Sequence, residues 1–337
     1  MSEADDFIIA DNRPEEPNSE KRFPVITQVA LLGVLLIALL GMSYLPTLMD
    51  KKQQDANATV PATPLLLADD TIKTIPTLEN ITIAARSAYV YDVRTKRALY
   101  SKDPDAVLPL ASITKLMTAL VAHELVAGDK TVTMPKAAIL QSGASGLAEG
   151  ERFTTEALSK YAVLASSNDA AYALAGAVGA VIDDTKNPNQ TFVRAMNIRA
   201  EELGLIHLKF KNPTGLDIST TEAGAVGTAR EISFLMEYIV NTYPDILKPT
   251  TNASARVYNE SGAYHEAENT NPVITKIPNL LGSKTGYTDL AGGNLTIAFD
   301  AGYNRPIIVT VLGSSYDGRF SDVKKLVDAA LAALAAE

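Results

Sequence analysis

Residues 25–45, VITQVALLGVLLIALLGMSYL, carry no charge, and the uncharged window runs from Phe23 to Met49. A helix needs roughly 20 apolar residues to cross a hydrocarbon layer about 30 Å thick. The pattern therefore predicts one transmembrane helix over 23–49, with Lys21 and Arg22 before it and Asp50, Lys51 and Lys52 after it. A cleaved signal peptide is the competing reading, but its apolar region would be unusually long, and the nearest small-residue site, Ala56–Ala58, lies too far downstream. The basic residues on the two sides nearly balance, so they leave the orientation open. Residues 1–22 hold seven Asp/Glu and three Lys/Arg, the composition of an unstructured tail. Residues 50–77 mix Pro, Thr, Ala and Asn without a period and read as a tether.

A folded domain is expected over 78–337. SAYVYDV and ALYSKD, separated by RTKR, alternate like the two strands of a hairpin. From Ala111 to about Tyr243 helical spacing dominates, broken by the turn-rich stretches QSGASGLAEGE and KNPTGLDIS. LLGSKTGY, GGNLTIAFD and PIIVTVLGS then return to strand patterns, and FSDVKKLVDAALAAL reads as a closing helix. Strands from both ends enclosing a helical middle predict an α+β fold: one antiparallel sheet with helices packed on it, and an active cleft between sheet and helical region.

Composition narrows the chemistry. With 47% apolar residues the chain can bury a sizeable core. It has no Cys, and its three His (His123, His207 and His265) stand far apart, so neither a disulfide framework nor a zinc-ligand spacing is present. No metal or cofactor is called for. The net charge of −9, without any long Lys/Arg block, argues against nucleic acid as a partner.

Three short stretches carry candidate chemistry. PLASITKLMTALVAHEL sets Ser112 and Lys115 three apart at the start of a helix whose apolar face is Ile113, Leu116, Met117, Leu120 and Val121. Residues i and i+3 share a face, so hydroxyl and amine are neighbours, as a nucleophile and its base must be. The amine can act as a base only if desolvation or a second cation keeps it neutral. The same spacing recurs at Ser321 and Lys324, where Ser321 is expected to be a helix N-cap. The second stretch, ASSNDAA, puts Ser166 and Asn168 inside an otherwise apolar segment. Residues of this kind favour turns over helix interiors, which predicts two helices meeting at a short turn with polar side chains facing the cleft. The third, GSKTGYTDLAGG, ends a strand with Lys284, Thr285 and Gly286. The lysine and hydroxyl suit a carboxylate, and the bare glycine would let a substrate backbone lie against the strand.

Ordered as S-x-x-K, S-x-N and K-T-G, these are the motifs of penicillin-binding proteins and class A β-lactamases. LYSKDPDAVLPLASITKLMTAL, ASSNDAA, FKNPTGLD, GTAREI, NTNPV, GSKTGYTDLAGG and VLGSSYDGRFSDVKKL extend the likeness over roughly residues 81–330. The domain resembles the low-molecular-mass penicillin-binding proteins of the D-alanyl-D-alanine carboxypeptidase family.

That resemblance implies a serine peptidase acting on peptidoglycan stem peptides ending in D-Ala-D-Ala, with β-lactams as acylating inhibitors. It implies roles for each residue: Ser112 as nucleophile, Lys115 as base, Ser166 as proton relay and Asn168 as substrate holder. Lys284 would keep the site electropositive and lower the Lys115 pKa, Thr285 would bind the terminal carboxylate, and Gly286 and Tyr287 would line the substrate. The backbone N–H groups of Ser112 and Tyr287 would form the oxyanion hole. It also settles the expected orientation, with tail inside and catalytic domain outside the membrane. Many members carry a further β-rich domain and a C-terminal membrane helix; here the N-terminal span is expected to supply the attachment. Ser167 stands where Gly is common in the family. A β-lactamase is disfavoured because the usual E-x-x-L-N loop is absent. A DD-endopeptidase that cuts crosslinks and an inert membrane-tethered muropeptide-binding module are the alternatives.

Overall fold

The computed structural model describes Leu78 and residues 81–143, 145–183 and 187–336. The chain divides into two units, Met1–Asp70 and Thr71–Glu337, and every described residue belongs to the second. The span predicted over 23–49 lies outside the described residues, with the acidic tail and the whole tether. Among the described residues no helix is long and apolar enough to cross a membrane.

The centre of the domain is a five-stranded antiparallel sheet. Its strands are β1 (Ser87–Asp92), β2 (Arg97–Lys102), β3 (Leu280–Thr288), β4 (Gly292–Asp300) and β5 (Pro306–Ser314), in the order β3-β4-β5-β1-β2. Strands from the two ends of the domain thus meet at the β5–β1 pair, as their pattern predicted. The helices are α1 (Lys115–Leu125), α2 (Lys136–Ile139), α3 (Thr155–Leu164), α4 (Asn168–Ile182), α5 (Pro188–Glu202), α6 (Ala229–Thr242) and α7 (Gly318–Ala335).

Both faces of the sheet are covered, so β1, β4 and β5 are buried along nearly their whole length. Side chains alternate between faces along a strand. Val90, Val309 and Val311 join α7 residues Val323, Leu326 and Val327 in one core. Tyr91, Ile308 and Leu312 join α6 residues Ile232, Leu235 and Met236 in the other. This second core continues through the helical region, where α1 is its axis: every residue from Lys115 to Ala122 is buried. The apolar stripe read from the sequence describes only part of this, since α3, α4, α5 and α6 also pack around α1.

Helix starts follow local chemistry. Thr154, Ser167 and Thr228 accept hydrogen bonds from the N–H groups of Ala157 (3.1 Å), Ala170 (3.0 Å) and Glu231 (3.1 Å), capping α3, α4 and α6. The α3–α4 junction at Ala165–Ser167 is the short turn expected at SSND. Near the start of α7, the buried carboxylate of Asp322 accepts from the N–H groups of Ala84 and Ala85 and from Ser314 Oγ, tying the helix to the segment before β1 and to the end of β5.

Candidate active site

Ser112 does not lie on an α-helix. It belongs to a 3-10 turn, Ala111–Thr114, that feeds α1, whose first residue is Lys115. In a 3-10 turn residues i and i+3 eclipse, and Lys115 Nζ sits 2.8 Å from Ser112 Oγ. The turn is entered through Ala111 at φ 50°, a left-handed conformation that costs a residue with a Cβ energy and persists only where surroundings impose it. The surroundings do so by close backbone approach. A Cβ on Gly215 would stand 1.9 Å from the Ala111 carbonyl oxygen, and one on Gly286 2.8 Å from that of Leu110. Asn294, fully buried on β4, donates through Nδ2 to the carbonyls of Pro109 (2.9 Å) and Leu110 (3.1 Å). Gly286 was expected to make room for substrate; the room it makes is occupied by the turn that carries the nucleophile.

Lys115 is fully buried, and burial lowers its amine to about 7. Its Nζ has three oxygen neighbours: Ser112 Oγ at 2.8 Å, Asn168 Oδ1 at 2.7 Å and the Thr214 carbonyl at 2.9 Å. This set suits both protonation states. An ammonium donates to all three, whereas a neutral amine accepts from the serine hydroxyl and donates its two protons to the carbonyls. The base can therefore change charge without leaving a buried group unpaired. The Thr214 carbonyl is aimed by Asn212, whose Oδ1 accepts from the N–H groups of Thr214 (3.2 Å) and Gly215 (2.7 Å).

The second motif is split between two jobs. Asn168, first residue of α4, also donates from Nδ2 to the Ser142 carbonyl at 2.6 Å, which orients its oxygen towards Lys115 and leaves one N–H over. Ser166, at φ 58°, accepts from Lys284 Nζ at 2.8 Å; this, and not a contact with Ser112, is its hydrogen bond. Ser167, in the place where the family often has Gly, caps α4 and donates to Ser145 Oγ at 2.7 Å, and Ser145 in turn donates to the buried Asp169. The loop before Glu151 is fastened to the second motif by these bonds.

The third motif lies on β3, an edge strand of the sheet. Lys284 is buried, and its amine is held well below the ordinary lysine range by burial first, then by Lys115 and by Arg319. The sequence-based expectation had this coupling running from Lys284 onto Lys115; repulsion between two amines is mutual, so the pair resists taking up its second proton. Thr285 Oγ1 pairs with Thr270 Oγ1 at 2.5 Å. Tyr287 is exposed and meets Tyr316 edge-on, with ring centroids 5.0 Å apart. Beneath them the buried Arg319 donates to the Gly286 carbonyl at 2.7 Å.

The second S-x-x-K is built differently. Ser321 lies inside the first turn of α7 and donates to the Gly318 carbonyl at 3.0 Å, so it is not the N-cap expected; that position belongs to Asp317, which makes no side-chain cap. Lys324 turns away to Asp328 at 2.6 Å.

A half-buried serine on a fully buried lysine, a second serine on a second buried lysine and a hydroxyl beside it are brought together here where β3 meets the helical region. Residues 73–315 match the family described as D-alanyl-D-alanine carboxypeptidase. The chain belongs to this family. Among curated proteins, the D-alanyl-D-alanine carboxypeptidase DacF of Bacillus subtilis is 30% identical over 304 residues, covering 88% of this chain and 70% of the relative. A D-alanyl-D-alanine endopeptidase of Pseudomonas aeruginosa is 31% identical over 215 residues, covering 62% of this chain and 65% of the relative. Among solved structures, penicillin-binding protein D2 from Listeria monocytogenes in its ampicillin-bound form aligns with a TM-score of 0.63 and 28% identity, over 74% of this chain and 98% of that one. The α+β carboxypeptidase fold expected from the sequence is the fold observed.

Other residues of this carboxypeptidase site carried no sequence signal of their own. The Thr214 carbonyl is a backbone atom, Asn294 braces from the neighbouring strand, and Arg319 comes from α7. NPTGLD and NTNPV did contribute to the resemblance, and both prove to be loops clamped by their own asparagines.

Proposed function

We propose that this chain is a serine-type D-alanyl-D-alanine carboxypeptidase that trims peptidoglycan stem peptides through an ester on Ser112. The observation that carries this reading is the Lys115 amine, fully buried at about 7 and 2.8 Å from Ser112 Oγ. A serine hydroxyl is too weakly acidic to attack unaided, and an amine poised near neutral pH is the base it needs.

In the neutral form Lys115 takes the Ser112 proton as Oγ attacks the carbonyl of the penultimate D-alanine. Charge then appears on the carbonyl oxygen, which the backbone N–H groups of Ser112 and Tyr287 receive. Lys115 passes that proton to the leaving amine through Ser166, whose hydroxyl is already held by Lys284, and is neutral again. D-Alanine departs, and water, deprotonated by the same Lys115, hydrolyses the ester. The spare N–H of Asn168 holds a substrate carbonyl. Thr285 and Lys284 take the terminal carboxylate; because burial disfavours the ammonium of Lys284, an arriving carboxylate is what makes its protonation favourable. An extended peptide can lie along β3, which has a strand neighbour on one side only. A β-lactam acylates Ser112 by the same attack, but its leaving group stays tethered.

The P. aeruginosa relative keeps an endopeptidase reading open. Incubating the protein with pentapeptide monomers and crosslinked dimers and weighing the products decides between them: release of D-alanine from monomers supports the carboxypeptidase, and cleavage of dimers alone overturns it. Attachment to the membrane by residues 23–49 belongs to the same proposal and rests on the uncharged run alone, while the placing of the catalytic domain outside rests on the peptidoglycan substrate. Full-length protein should sediment with membranes, whereas a chain starting at Thr71 should stay soluble and active. Soluble full-length protein in a detergent-free extract would count against the anchor.

A further inference from the structure

NTNPV lies outside the three catalytic motifs, yet it reaches one of them. Thr270, exposed at the cleft, places Oγ1 2.5 Å from Oγ1 of the buried Thr285. The contact is held from both flanks. Asn269 donates through Nδ2 to the carbonyls of Thr250 and Asn252, each at 2.8 Å, and accepts from the Asn271 N–H at 2.9 Å. Asn271, itself buried, donates to Ser283 Oγ at 3.2 Å and accepts from the Val273 N–H at 3.1 Å. Residues 283 and 285 share one face of β3. The loop is thus hooked onto that face at two successive positions, with Thr270 over the hydroxyl assigned to the substrate carboxylate.

From this geometry we infer that Thr270 is a positioning residue for terminal-carboxylate recognition, acting through Thr285; the inference rests on the carboxylate role given to Thr285 above. The reasoning is one of hydrogen-bond polarity. A carboxylate only accepts, so Thr285 must spend its single proton on the substrate. Its bond with Thr270 then has one possible direction, with Thr270 donating and Thr285 accepting. A hydroxyl that accepts one hydrogen bond while donating another donates more strongly, and its rotamer is fixed in advance. Before substrate arrives the same pairing keeps the buried Thr285 hydroxyl from turning to some other acceptor. Valine at 270 keeps the shape and removes the donor, whereas serine keeps the donor.

The test compares kcat/KM of the full-length protein and its variants on two substrates: a peptide ending in free D-Ala-D-Ala, and an ester whose leaving group has no carboxylate. Thr285→Val is expected to lose roughly tenfold or more on the peptide and far less on the ester, since a hydrogen bond to a charged group is lost. Thr270→Val is expected to lose about three- to fivefold on the peptide, mainly in KM, with the ester rate within about twofold of wild type. Thr270→Ser should stay within about twofold on both, and the double Val variant should be no worse than Thr285→Val alone. Equal losses of Thr270→Val on peptide and ester, or additive losses in the double variant, would overturn the positioning role while leaving the carboxylate reading intact. Failure of Thr285→Val itself to separate the two substrates would overturn both. An unchanged thermal melting curve for Thr270→Val excludes loss of folded protein as the cause, and Thr270→Ser supplies the same control from activity.

Discussion

Ser112–Lys115 and Ser321–Lys324 have the same spacing and opposite character. At the first, the lysine is fully buried, its amine lies 2.8 Å from the serine, and two carbonyls complete its shell. At the second, the lysine is half-exposed on α7 and paired with Asp328 one turn on, while the serine bonds to its own helix. The first amine has lost its hydration and gained neutral acceptors; the second keeps water and a carboxylate partner. A short motif therefore states only which side chains are within reach of one another, and their surroundings decide whether a proton can move between them.

The largest expected effect would break the comparison outright. Ser112→Ala should abolish covalent labelling by a fluorescent penicillin, and Ser321→Ala should be labelled like wild type. An adduct on folded Ser112→Ala, seen by intact mass, would refute the mechanism. Next comes the base. Lys115→Met should slow acylation by about 10²–10⁴-fold, the range of a lost general base, whereas Lys324→Met should acylate normally. In the wild type the acylation rate should climb with pH through about 7, where the Lys115 amine becomes neutral; a profile flat from pH 5.5 to 8.5 would assign the proton transfer elsewhere.

The same titration has a thermodynamic face. Unfolded lysine titrates near 10.4, well above folded Lys115 at about 7, so between these values the unfolded state binds more protons and stability rises with pH. The contribution is fully present above the unfolded pKa and is lost as pH falls towards 7. Denaturant melts from pH 7 to 9 should show this rise, and Lys115→Met should reduce it. A slope equally steep in Lys115→Met would mean that Lys115 is not the source.

A smaller effect sharpens the geometry. Gly286→Ala pushes a methyl group to 2.8 Å from the Leu110 carbonyl oxygen, against the turn of Ser112. It should cost about 1–3 kcal/mol, as overpacking does, and slow acylation as well; a fully active and stable variant would show that the turn tolerates displacement. The smallest is Ser321→Ala on α7, expected within about 0.5 kcal/mol of wild type by thermal melting, as for other surface changes.

Much of the fold was legible because its strands and helices obey local rules. The runs GGNLTIAFD and PIIVTVLGS marked β4 and β5, and polar residues inside an apolar segment marked the α3–α4 turn. Ser321 was misread because an N-cap differs from a first-turn serine by a few residues, a distance over which propensity is blind. Gly286 was assigned to substrate because a sequence shows that a Cβ is missing but not which atom would have met it.

Sequence by itself determined the order of elements, the absence of any thiol, and, through three motifs in series, the residues that meet at the site. The order of side chains along a chain records such things directly. Only the tertiary structure decided which serine–lysine pair is desolvated, that Ser166 answers to Lys284 and not to Ser112, and that Asn294, Thr270 and the Thr214 carbonyl stand behind the catalytic groups. Desolvation and hydrogen-bond partnership arise from atoms far apart in the chain, with 53 positions between Lys115 and Asn168, 118 between Ser166 and Lys284 and 185 between Asn294 and Pro109, and no local pattern encodes what lies on the other side of a fold.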